Sequence, residues 1–101
     1  MPEPIPPYAE PVMRLRDAAF DLARSLEGDV QVDKPDVLVA LLRSAAIALG
    51  KSIAELMAAA DTAGHGPARD ALRRAVLSQT DSAQAMAEAV QALTTPRMLR
   101  D

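Results

Sequence analysis

The single histidine, His65, sits in the word Gly64-His65-Gly66-Pro67, and Arg69, Arg73 and Arg74 follow it. A helix opening at Pro67 would present free amides and a partial positive charge beside these cations, which is the chemistry of an anion site. Arg69 and Arg73 stand one turn apart on one side of such a helix, and His65 could join them. The plainer alternative is a solvated arginine face in which Asp70 pairs with Arg73 or Arg74. Lys51, further upstream, completes the set of candidate anion or nucleic-acid contacts.

Other chemistries find few residues to carry them. Cysteine is absent and no second histidine exists, so thiolate nucleophiles, disulfides and Cys/His metal sets are excluded. No spaced Asp/Asn loop ends in a glutamate as a calcium loop does, and no glycine pattern suits a nucleotide. No base stands near any serine. A non-enzymatic protein with no cofactor and no metal is expected.

The chain has 101 residues, with 11 Lys+Arg against 14 Asp+Glu for a net charge of −3, and half of them are apolar. This balance fits one small folded domain and argues against a disordered charged tail. Tyr8 and Phe20 are the two aromatics. Leu, Ala and Met must therefore fill the core, which predicts closely approaching helices and a thin interior. The first residues offer neither a basic start nor an apolar signal core. With the alanine bias and the excess of Arg over Lys, this suggests a bacterial protein of the cytoplasm.

Five of the eight prolines fall within residues 1–11. Proline removes amide donors, so residues 1–10 are expected as an extended arm on which Ile5 and Tyr8 could dock, with a weak P-x-x-P at Pro4 and Pro7. A single helical domain over 11–95 and a short tail over 96–101 complete the layout. The fold class expected is all-α: a small four-helix bundle with helices at about 11–27, 34–50, 52–63 and 67–93.

Helix one carries Val12, Leu15, Ala19, Leu22 and Leu26 at steps of three and four, and Gly28 stops it. Asp21 and Arg24 can pair on its outer face. Helix two opens on Asp33 as cap with Pro35 in the first turn, and from Val37 to Leu49 only Arg43 and Ser44 are polar. Ended at Gly50, this run is too short to span a membrane, so no membrane partner is expected. Ser52-Ile53-Ala54-Glu55 reads as a capping box opening helix three. In helix four, Leu72, Val76, Gln79, Ala83, Met86, Val90 and Leu93 form a coiled-coil-like seam. It runs through Thr80-Asp81-Ser82 without losing phase, although any of those residues could cap a new helix.

Ala46, Gly50 and Leu56 have a small–turn–apolar spacing that resembles helix-turn-helix DNA-binding units, and the words ALGKSIAEL resemble the end of repressor-type helical domains. The resemblance covers about twenty residues and implies that helix three reads DNA. Its exposed set of Lys51, Ser52, Ala54, Glu55 and Ala58 lacks the Arg, Asn and Gln that address base edges. The leading expectation is instead a protein–protein interaction or regulatory module. An all-round apolar helix two favours a homodimer. The expected interface comprises Val37, Leu38, Leu41, Leu42 and Leu49 from helix two, with Val76, Gln79, Met86 and Val90 from helix four.

Overall fold

In a computed structural model of the chain, residues 7–28 and 30–95 are described. The proline word with Ile5 and Pro4, and the tail from Pro96, lie outside them. Three helices follow in order: α1 (Ala9–Ser25), α2 (Pro35–Thr62) and α3 (Gly66–Thr94). Among the described residues there is no strand. The all-α class stands, while the four-helix expectation is corrected to three, because helices two and three are one.

The chain divides into two compact units, residues 1–32 and 33–101. The first is built on α1, which starts at Ala9, two residues earlier than the prolines suggest. Pro11 falls in the first turn, where its missing amide would be unpaired in any case. Ser25 ends the helix and Gly28, at φ 82°, takes the left-handed conformation expected of a stop. Asp21 and Arg24 pair one turn apart. Val12, Leu15 and Phe20 are exposed, and no residue of α1 is buried.

The second unit is a hairpin of α2 and α3. Asp33 does not cap α2; Lys34 holds that position in the left-handed region at φ 53°, and Pro35 takes the first helical position. The helix then runs unbroken for 28 residues. Gly50 ends nothing: its φ is not positive, and a built Cβ there would lie 3.4 Å from the Cβ of Gln79. Glycine inside a helix costs only about 0.5–1 kcal/mol, too little to interrupt a helix held along its length by a packed partner. Ser52 is mid-helix as well. Its hydroxyl donates back to the Ala48 carbonyl at 3.2 Å, so the capping box is not used.

The real end of α2 is at Gly64. Its amide donates to the Asp61 carbonyl at 3.0 Å, and the His65 amide reaches the Ala60 carbonyl at 2.9 Å. These are the two bonds of a Schellman turn, with Gly64 at φ 79°. From His65 the chain re-enters a helix and returns. Continuity of α3 through residues 80–82 is plain, with the Thr80 hydroxyl donating to the Val76 carbonyl at 3.1 Å.

Between the two helices lies the seam. On α3 it consists of Leu72, Val76, Gln79, Ala83, Met86 and Val90; on α2 it consists of Leu42, Ala46, Leu49, Ile53, Met57 and Ala60, all buried or half-buried. Ala46 and Ala83, at 9% and 7% exposure, are the buried residues of the described core. Two helices share a single line of contact, so no large side chain along it is fully enclosed. Leu93, expected in the seam, is exposed.

Candidate functional site

Arg69 does not stand ready for an anion. Its guanidinium donates to Asp61 at 3.1 Å across the Schellman turn and to Asp70 at 2.9 Å. The hydrogen bond to Asp70, followed by the charge of that carboxylate and the same two effects of Asp61, raises the Arg69 pKa above the ordinary arginine value. A basic group raised in this way is charged below its unfolded pKa and loses that stabilisation only in strong alkali, so it adds no pH dependence near neutrality. His65, Arg73 and Arg74 are exposed around the start of α3, and Arg74 lies on a different side from Arg69 and Arg73. Asp70 therefore pairs with Arg69 rather than with Arg73 or Arg74. The Asp61–Arg69 bridge has no signature in the sequence because it depends on the turn. Among the described residues, no group of three His, Asp or Glu is placed to hold a metal.

The hairpin has two broad sides. One is a groove of about 400 Å³ with Gly50 at its floor, bordered by Arg43, Ile47 and Lys51 from α2 and by Gln79, Thr80 and Gln84 from α3. Lys51 thus sits on a polar side, in the middle of a helix. The turn that a helix-turn-helix requires is absent, since residues 46–56 all belong to α2.

The other side carries no charge. On α2 it holds Leu41, Ala45, Ala48, Ser52, Leu56 and Ala59, half a turn or so from the groove; Leu38 lies between it and the seam. On α3 the matching strip is Ala71, Ala75, Ser78, Ser82, Ala85, Ala89 and Leu93. Both strips repeat at steps of three and four, as the seam does. Leu41 and Leu56 are 63% and 60% exposed.

These positions sort the residues expected at an interface. Leu42, Leu49, Val76, Gln79, Met86 and Val90 lie along the seam inside one chain. Val37 and Leu41 point outward, and Leu38 is half-buried. Periodicity alone shows that α3 has an apolar seam; it does not show that α2 of the same chain fills it.

Continuity also changes the membrane argument. At 28 residues, with a mean hydropathy of 1.7 over its most apolar 18, α2 is long and apolar enough to cross a bilayer by length and composition. The break at Gly50 that set this aside is not there. In the hairpin its partner, α3, carries Arg69, Asp70, Arg73, Arg74, Asp81 and Glu88.

The chain matches no family model, no curated protein and no solved structure.

Proposed function

We propose that this protein is a non-enzymatic helical interaction module, regulatory in character, that acts as a homodimer. One observation carries the reading. The α2–α3 hairpin buries only Ala46 and Ala83, while Leu41 and Leu56 stand open on an uncharged side. Ordering each residue costs about 1–2 kcal/mol of backbone entropy, and a two-helix unit with no enclosed large side chain needs further burial to offset it. A second helical surface supplies that burial.

A cytoplasmic, bacterial setting is part of the proposal and rests on composition alone. The charges on α3 and around the groove support a water-facing hairpin over one immersed in lipid. DNA binding gains no support from the geometry, because α2 offers no separate reading helix.

Light scattering at tens of micromolar tests the proposal, with a dimeric mass expected. A monomeric mass removes it. Mixing with random duplex DNA at low salt should give no complex; a complex that dissolves steeply with added salt would favour the nucleic-acid alternative.

A further inference from the structure

We propose that the uncharged side of the hairpin is the face on which a second copy of this chain packs, around a two-fold axis parallel to the helices, so that α2 of one copy lies over α3 of the other. The inference rests on the homodimeric reading above and adds the face, the symmetry and the register.

The charge pattern selects the face. Arg43, Lys51 and Glu55 of α2, and Arg69 through Glu88 of α3, all lie off the two uncharged strips. An arc on each helix, on the same side of the hairpin, is thereby kept free of groups that would be costly to desolvate.

The area is of the right size. Helices of 28 and 29 residues, rising about 1.5 Å per residue and lying about 9–10 Å apart, present a side about 42 Å by 20 Å, or about 800 Å². One partner in a standard stable interface contributes about the same, 800 Å².

Shape then fixes the arrangement. The large side chains of the face are concentrated on α2, as Leu41 and Leu56, while α3 presents mainly Ala and Ser, with Leu93 at its far end. Pairing like strip with like would set leucine against leucine and leave a gap between the alanines. A two-fold axis along the helices crosses the strips instead and makes every neighbouring pair antiparallel.

Register agrees with that choice. Gly50 stands across from Gln79 within the hairpin, and two copies related by such an axis share the same levels. Leu56 of one copy then meets the partner at the level of Ala71 and Ala75. Leu41 meets it at the level of Ala85 and Ala89. Each leucine finds a hole lined by small residues, which is knobs-into-holes packing built from one sequence.

The absence of cysteine makes the test direct. Two single variants, Leu41→Cys and Ala89→Cys, are co-expressed with different tags and treated with a short thiol-specific cross-linker. The expected result is a dimeric mass by light scattering and a cross-linked species carrying both tags, with neither variant cross-linking to itself. The control pair on the groove side, Lys51→Cys with Thr80→Cys, should give no inter-chain product. A dimer that cross-links through the control pair but not through positions 41 and 89 overturns the face and leaves the homodimer standing. A monomeric Leu41→Cys variant whose new thiol is shielded from thiol reagents overturns both, and assigns the face to another segment of the same chain. Flotation of that variant with phosphatidylcholine vesicles, accompanied by loss of labelling at position 41, also overturns the proposal, in favour of lipid.

Discussion

Gly50 and Gly64 are the same residue type put to opposite uses, and substitution tells them apart. Gly64 is left-handed in a Schellman turn, so Gly64→Ala should destabilise the hairpin by about 1–2 kcal/mol in a urea titration. Gly50 is helical and its built Cβ meets Gln79 at an ordinary van der Waals separation. Gly50→Ala should therefore stabilise by up to about 1 kcal/mol, through the better helix propensity of alanine. A loss of stability at Gly50 would mean that the helix does end there. In the sequence both glycines read as stops, because the residue type carries no sign of φ. What separates them is the neighbourhood: Gly64 lies beside His65, Gly66 and Pro67, and Gly50 lies inside an unbroken 3–4 repeat of apolar residues. Ser52-x-x-Glu55 misleads for a related reason. A serine within a helix can turn its hydroxyl to the carbonyl four residues back, as Ser52 does, so the motif marks a start only when the preceding turn is not helical.

At the level of elements, periodicity is the most dependable signal. It locates α1 within two residues at each end and carries α3 through Thr80-Asp81-Ser82 as one helix. Six of the seven residues it names for the seam on α3 are buried or half-buried, Leu93 being the exception. The sequence does not say which surface the seam meets, because an antiparallel neighbour in the same chain and a helix from another chain ask for the same 3.5-residue repeat. Gln79 tests the seam itself. It is half-buried opposite Gly50, and a polar residue there is held at some cost in stability. Gln79→Leu should raise the melting temperature by about 4–8 °C, corresponding to about 1 kcal/mol in a domain of this size. A silent substitution in a thermal melt would place Gln79 in solvent and remove the packed seam at that level.

For the molecule as a whole, adjacent leucines should behave differently. Leu42 belongs to the seam within the chain and Leu41 to the open side. Leu42→Asp should destabilise the hairpin at every concentration, since it puts an unpaired charge at a half-buried seam position. Leu41→Asp should act first on association, lowering the mass seen by light scattering and making the melting temperature less dependent on concentration. A Leu41→Asp variant that keeps the dimeric mass would contradict a dimer built on this face. The Schellman turn at Gly64 has a consequence of another kind, in time. Because α2 and α3 meet through a three-residue connection, the seam residues nearest the turn, Ala60 and Leu72, are 12 residues apart in sequence, and each further level adds just one residue on either side. Chain closure is therefore cheapest at the turn, and pairing proceeds outward from it like a zip, the pattern of a low-contact-order fold. Intrachain pairing of this sort proceeds at a rate set by the chain alone, whereas covering the uncharged side needs a collision between two chains. Refolding should accordingly separate into a fast phase indifferent to protein concentration and a slower one that quickens as the solution is made more concentrated.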